Sequence, residues 1–541
     1  VYWVRRFWRF GVCAALVLSL AGVFAPASSL AASSAAATVR LRLTGLNRDG
    51  QVVGIPAAAM LSIPAGSQYY YQGAPLSVPR GTYLIAAEVP AYSGTKLTSQ
   101  TLVFRKVTIE RAETLRLDGR GGQRLTVALS GAQASGSDLI ATACMSQYPH
   151  QSAVLGGSAT GGPGVAVYAV PVKSPYITFG YFRILTSPAG ATYYLIGSRR
   201  GQIPAHLGYR QRASGLAKLT MTLRSGVYGS SNFDWQIQSG NDQTLCGAGQ
   251  NMNTLGPRSW VTYVTPGTWS TSVEADSDHA GRFYPTASEY ATTRLRAGRS
   301  YANVFGAAVA GPGPDFPQTS ANYNDDASPY ALLSYTPDLY AGPALMGGSV
   351  CCDQGTVILR RGSRLVRKHA VGTGGLFTAP IRQSGWYTLT DTDHRWFRGN
   401  STPAGLLSPR VSVSFRFYAS SHPAGDGDFQ NSPLTRARYQ PLGLNSANQA
   451  PAGGSTKLDV AIARPMNAGI ATPAFRLKTI AVYASVNGGA RWVRLKLRRV
   501  GGHWQVVVRD PSAGYVSIRS VVTDAHGDRT EQTVYRAYAV S

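Results

Sequence analysis

Acidic side chains are scarce in this 541-residue chain, where 26 Asp and Glu stand against 52 Lys and Arg for a formal net charge of +26. A balance this basic attracts polyanions. The cations, nearly all Arg, are spread over almost every stretch of the chain, and there is neither a reading helix nor a stacking platform among them, which excludes sequence-specific nucleic-acid recognition. Long apolar runs are also missing after residue 24, so no later segment is expected to cross a membrane as a helix. Helical periodicity is not sustained over a dozen residues anywhere, which argues against helical and α/β folds. What the chain has in plenty is 60 Gly, 31 Pro and 29 Tyr, the composition of short strands joined by tight turns.

The first residues place Arg5, Arg6 and Arg9 ahead of an apolar stretch from Phe10 to Phe24, followed by small residues around Ala25, Ala27, Ser29 and Ala31. That is the layout of a secretory leader, with cleavage expected at Ser29-Leu30-Ala31. Removing it takes three Arg and no acid, leaving a mature chain of charge +23. Cys13 falls inside the apolar stretch. Cys144, Cys246, Cys351 and Cys352 remain, enough for two disulfides in an oxidising compartment. Adjacent Cys351 and Cys352 join each other only through a strained turn, so pairing with Cys144 and Cys246 separately is expected. No metal site is expected, since C-x-x-C spacing and neighbouring His are lacking.

Strand signals divide the mature chain into four units. Over residues 37–119, Val39, Leu41 and Leu43 alternate with Arg40, Arg42 and Thr44 up to the turn Asn47-Arg48-Asp49-Gly50, and some seven short strands fit one small sandwich. Residues 122–342 form a larger central β region with Gly/Ser/Asn-rich loops. A third sandwich is expected over 343–450, containing the alternating Val411-Ser412-Val413-Ser414-Phe415-Arg416-Phe417. Ala450-Pro451-Ala452-Gly453-Gly454 marks its boundary with a last sandwich over 455–541.

No nucleophile assembles with a base. The eight His lie in no metalloprotease or serine-hydrolase setting, and no Gly-x-Ser-x-Gly elbow occurs. Asp391-Thr392-Asp393-His394 places acids beside an imidazole, but an exposed turn between strands yields the same letters. Asn324-Asp325-Asp326 and Gly425-Asp426-Gly427-Asp428 lack the spacing and terminal Glu of a calcium loop and read as solvated turns. Aromatic rings offer flat surfaces to sugars. Tyr69, Tyr70 and Tyr71 form the candidate binding cluster, because three consecutive residues of a strand cannot all face inward. Trp235, Trp260, Trp269, Trp386 and Trp396 are expected chiefly in sandwich cores. No cofactor and no enzymatic activity are expected.

The last stretch, Val482-Tyr483-Ala484-Ser485-Val486-Asn487-Gly488-Gly489-Ala490-Arg491-Trp492, then Gly502-His503-Trp504, Thr523-Asp524-Ala525-His526-Gly527-Asp528 and Tyr535-Arg536-Ala537-Tyr538, resembles the tail of large secreted actinomycete subtilisin-like serine proteases. Leu295 to Tyr301, Val357 to Gly362 and Val411 to Phe417 follow the order of the non-catalytic regions in such proteins. Leu46 to Gly50 and Val78 to Tyr83 resemble the prealbumin-like sandwich that stands after their peptidase domain. The resemblance implies tandem prealbumin-like and immunoglobulin-like β-sandwiches, and it carries over no catalytic residue, because the peptidase domain with its Asp, His and Ser is missing. Ser485 to Trp492 also resembles the hairpin box of sialidase-like propellers, which implies no sialidase. Together these features lead us to expect an all-β, secreted, non-enzymatic protein that binds an anionic cell-wall polymer, a polysaccharide or an extracellular protein. The alternatives are an accessory subunit of a separately encoded subtilisin-like protease and an unrecognised secreted hydrolase.

Overall fold

The computed structural model describes residues 38–541 except 150, 152, 228–231, 240–248, 256–257, 280–281, 313–315, 321–329, 338, 341–352, 373–374, 396–404, 423–429, 432–433 and 465–474. The expected leader and cleavage site, Cys13, Cys246, Cys351, Cys352, Trp396, the 324–326 acids and the 425–428 acids lie outside the described residues. Among those described, the chain is all-β, and a three-residue 3-10 turn at Ala213–Gly215 is its one helical element.

The first sandwich grows from alternation. In Thr38–Leu46, Val39, Leu41 and Leu43 are buried while Arg40 and Arg42 are exposed. Asn47 ends the strand: its side-chain oxygen accepts from the backbone N–H groups of Asp49 and Gln51 at 3.0 and 2.9 Å, and Gly50 takes the φ of 78° that closes the turn. One sheet joins Val52–Gly54, Thr38–Leu46 and Leu76–Pro79, with Glu113–Asp118 parallel to the first strand. The other runs Gln68–Tyr71, Ala58–Ile63, Gly81–Ser93, Lys96–Ile109. This second sheet continues across the boundary expected near residue 120, since Ala166–Ala169 adds parallel to Lys96–Ile109 and Gln123–Arg124 adds beyond it.

That extension gives the sheet two buried faces. Leu41, Met60, Tyr83 and Ile85 fill the sandwich, whereas Leu61, Leu84 and Ala86 pack the other way, against Ala141, Phe179 and Leu195 of the central region. The central region is a seven-stranded sheet that packs in turn on a four-stranded sheet through Tyr194, Trp235 and Trp269.

The C-terminal units are not two separate sandwiches divided at 450. A single nine-stranded sheet runs through both, in the order Arg364–Gly372, Asp353–Arg361, Gly385–Arg395, Arg410–Ala419, Arg529–Val540, Gly514–Asp524, Leu477–Ser485, Val493–Arg494, with Gln449–Ala450 parallel to Arg529–Val540. A four-stranded sheet of Phe377–Ile381, Ala331–Tyr335, Gln318–Ser320 and Gln430–Asn431 covers one half of its inner face, around Phe377, Phe415 and Phe417. A second, of Arg436–Pro441, Ser455–Ala463, His503–Arg509 and Arg498–Val500, covers the other half, around Tyr439, Val506 and Tyr538. Two of these covering strands come from before residue 342, and Arg436–Pro441 belongs to the last sandwich. The Pro-Gly stretch at 451–454 is a turn inside that sandwich, where Gly453 donates to the Pro511 carbonyl and Asp510 to that of Gly454. Composition marks turns, but strand pairing across 100 residues decides where a unit ends.

Candidate binding face

The inner face of the nine-stranded sheet is covered by the two four-stranded sheets except at the edge strand Arg364–Gly372, and its outer face is where functional groups collect. Alternation sets the sides: Val411, Val413, Phe415 and Phe417 are buried, so Arg410, Ser412, Ser414, Arg416 and Tyr418 face outward. Register then aligns the outward residues into rows. One row reads Ala370, Thr356, Thr392, Ser412, Thr533, Arg519, Tyr483, Arg494. The next reads Lys368, Ile358, Thr390, Ser414, Glu531, Val521, Ala481, and a third Arg360, Thr388, Arg416, Arg529, Thr523, Thr479. At about 4.8 Å between strands, an eight-strand row is about 34 Å wide.

The centre of this face is paved with hydroxyls. Thr390 and Ser414 share a hydrogen bond at 3.3 Å, as do Thr392 and Ser412. Each oxygen keeps a lone pair for a partner, because a hydroxyl donates once and accepts twice. Aromatic and guanidinium groups flank the hydroxyls. On one side Trp386 and Tyr418 meet edge to face at 6.0 Å, and the Arg416 guanidinium lies 4.1 Å over the indole while donating to the Gly527 carbonyl at 3.0 Å. On the other, Arg410 lies 5.0 Å over Tyr535, which meets Trp492 edge to face. Stacking of this kind fixes a cation's direction while leaving its charge available. The acid within these rows is Glu531, held between Arg519 and Arg529.

Sequence-predicted residues distribute differently. Tyr69, Tyr70 and Tyr71 sit on the edge strand Gln68–Tyr71 and point in different directions: Tyr71 is buried with its hydroxyl donating to the Leu43 carbonyl at 3.3 Å, Tyr69 packs edge to face on Tyr83, and of the three Tyr70 alone is exposed, at 59%. Trp235 and Trp269 are core residues, and Trp260 and Trp386 are half-buried. Cys144 is buried in the strand Ser135–Met145.

Asp391, Asp393 and His394 are not in an exposed turn. They occupy the strand Gly385–Arg395, whose alternation buries Asp391, Asp393 and Arg395 and turns His394 to the opposite, exposed side. Acid and imidazole therefore never meet. The Tyr335 hydroxyl donates to Asp391 at 2.8 Å, and burial, then Asp391 and Asp393, hold it well above the usual phenol range. Burial pushes Asp393 from 3.8 up to about 6, and its hydrogen bond with Asp391 offsets part of this. Arg395 donates to the carbonyls of Val227 and Leu407, tying the sheet to the central region. At 1% and 6% exposure, the two carboxyls are components of the core, closed to any substrate.

Sequence reasoning missed the rows themselves. Their signal was present in the polar members of Val411 to Phe417, but register across eight strands is a tertiary property.

No protein family and no curated protein matches the sequence. Among solved structures, the chain is similar to the Bacillus anthracis TIE protein at 12% identity and a TM-score of 0.11, over 49% of this chain and 50% of that one. It is also similar to BcpA, the major pilin subunit of Bacillus cereus, at 9% identity and a TM-score of 0.13, over 50% of this chain and 98% of the pilin. Escherichia coli alpha-2-macroglobulin is similar at 10% identity and a TM-score of 0.13, over 93% of this chain and 53% of that one. The chain thus spans half the length of the TIE protein, and likenesses this distant carry no argument about what it does.

Proposed function

We propose that the chain is an exported, non-enzymatic β protein that binds an anionic polymer of the cell surface on the outer face of its nine-stranded sheet. The observation that supports this reading is the outer face just described, in which hydroxyls lie between the stacked Arg416 and Arg410 and the acid Glu531 is neutralised by Arg519 and Arg529. Hydroxyls suit the sugar or polyol units of such a polymer, and guanidinium groups suit its phosphates or carboxylates through paired hydrogen bonds. A face about 34 Å wide engages many repeats at once, so weak contacts add up along one chain. Export belongs to the same reading, resting on the leader-like first residues and on the expected pairing of Cys144 with Cys351 or Cys352.

The test is co-sedimentation with wall fragments that carry a phosphodiester or uronate polymer, against the same fragments stripped of it. Retention is expected on the first alone, weakening as salt rises from low to physiological strength and beyond. Absence of retention at low salt, or retention undiminished in Arg410→Glu/Arg416→Glu, overturns the proposal.

A further inference from the structure

The nine-stranded sheet ends in a strand that no other strand completes. Arg364–Gly372 pairs with Asp353–Arg361 on one side, and among the described residues nothing pairs with its other side. Residues 364 to 370 are all exposed, including those beside the buried Val357 and Leu359, so the strand projects past the covering sheet with both faces open. Leu365 and Val366 are 50% and 37% exposed. The register shifts at Val366, and from Arg367 to Gly372 the outer N–H and C=O groups alternate at the spacing of a peptide, so this part of the edge is a template for another strand.

Charge decides which strand. Arg364, Arg367, Lys368 and His369 lie on the edge, Arg360 and Arg361 lie beside it, and the sequence has no acid between Asp353 and Asp391. Arg361 is aimed along the hairpin by its hydrogen bonds to Gln383 and to the Ser384 carbonyl, and Arg360 by its bond to the Ser363 carbonyl. A second copy of this edge would set Arg and Lys against Arg and Lys, which cross-strand pairing disfavours. A glycan or phosphate polymer would meet the cations but has no ladder of amides to match the backbone. An extended acidic peptide meets both.

We propose that the strand Arg364–Gly372 is a docking edge for an extended, acidic segment of a partner protein, which adds to the sheet as its next strand. The site lies at the edge where the outer-face rows end and shares Lys368 with them, and polymer binding is not required for it. Carboxylates on adjacent residues of the segment reach Arg367 and Lys368 on the two faces of the edge, and its aliphatic side chains cover Leu365 and Val366.

Fluorescence anisotropy with the full chain tests this, using a labelled eight-residue peptide that repeats Glu-Glu-Val-Val and so presents carboxylates and aliphatic groups on both faces. Two controls are the same peptide with alternate amides N-methylated and a peptide with Lys for Glu. The acidic peptide is expected to bind at least tenfold more tightly than either control, and at least tenfold more tightly to the native chain than to Arg367→Glu/Lys368→Glu. Affinity for Arg410→Glu/Arg416→Glu, whose changes lie on the outer face, is expected to stay within twofold of native. Equal binding of the N-methylated peptide, loss through the outer-face variant alone, or no binding of the acidic peptide each overturns the proposal. The N-methyl comparison uses the native chain and stays decisive whatever the variants do to folding.

Discussion

The side chain of Asn448 accepts a hydrogen bond from the backbone N–H of Ala308 at 3.0 Å across 140 residues of sequence. Its amide nitrogen donates to the carbonyls of Gly306 at 2.6 Å and Ser225 at 2.8 Å, so one fully buried side chain closes three backbone groups of the central region from a turn of the C-terminal sandwich. Asn suits the place, because Asn448 has φ of 55° and Asn is among the few residues that tolerate that region. Asn448→Ala leaves those groups without partners in the core, at a cost of about 2–4 kcal/mol. The expected result is a lower midpoint in urea unfolding, with loss of protection at the amide of Ala308 in hydrogen exchange. Unchanged exchange at that amide would count against the bridge.

Asp393 sets a pH dependence of definite sign. Its carboxyl titrates near 6 in the folded chain and near 3.8 when exposed, so the folded state holds the extra proton between those values. Stability from this group is therefore fully present below about pH 4 and is lost as pH rises to about 6, by up to about 3 kcal/mol. Asp528, raised to about 6 by burial and by neighbouring Asp524, acts in the same direction. Asp393→Asn should narrow the gap in unfolding midpoint between pH 4.5 and pH 7.5. If the variant and native profiles run parallel over that range, Asp393 is not the group responsible.

At Gly157 the central sheet lies directly against Ala86 of the first sandwich. A Cβ there would lie 2.4 Å from the carbonyl oxygen of Ala86 and 2.7 Å from its Cβ, and a backbone oxygen in a paired strand has no room to retreat. Gly157→Ala is expected to destabilise by about 1–3 kcal/mol. Gly162→Ala, five residues on with open space around it, should stay within about 0.5 kcal/mol of native. Equal effects of the two substitutions in thermal unfolding would remove close packing as the cause.

These sites show what a sequence of this kind exposes and what it hides. Thr38–Leu46, the Asn47 turn and the outward polar residues of Val411 to Phe417 are written in period-two alternation and turn chemistry, which act over a few residues. Tyr71 and Tyr70 were legible only as a pair that must diverge. The buried Asp391 and Asp393 read as a turn because acids are rarely enclosed, and the Tyr335 hydroxyl that bonds Asp391 inside the core comes from a strand 56 residues away. The same holds for the sheet that runs through both C-terminal sandwiches: the pairing of Val411 with Val534 joins strands more than 100 residues apart, and no local pattern specifies it.

Hydroxyls and cations on the outer face are separable by substitution, and this gives the sharpest test of how the face works. Thr392 and Ser412 bond to each other at 3.3 Å and Ser412 also reaches the Asp391 carbonyl at 3.3 Å, so changing both to Val removes the side-chain pair together at the loss of one bond to a strand carbonyl. Replacing both partners by apolar groups of similar shape is nearly neutral for folding, and β-branched Val suits a strand, so the unfolding midpoint should move by the equivalent of less than about 1 kcal/mol. Binding should respond differently. If the row of hydroxyls contacts the polymer, Thr392→Val/Ser412→Val weakens retention severalfold at every salt concentration, because neutral hydrogen bonds are not screened by ions. Arg416→Glu should instead steepen the loss at low salt and matter little at high salt, where the charge term is already screened. A hydroxyl double variant that binds as the native chain does at all salt concentrations would leave the cations as the whole of the site and reduce the face to an electrostatic surface.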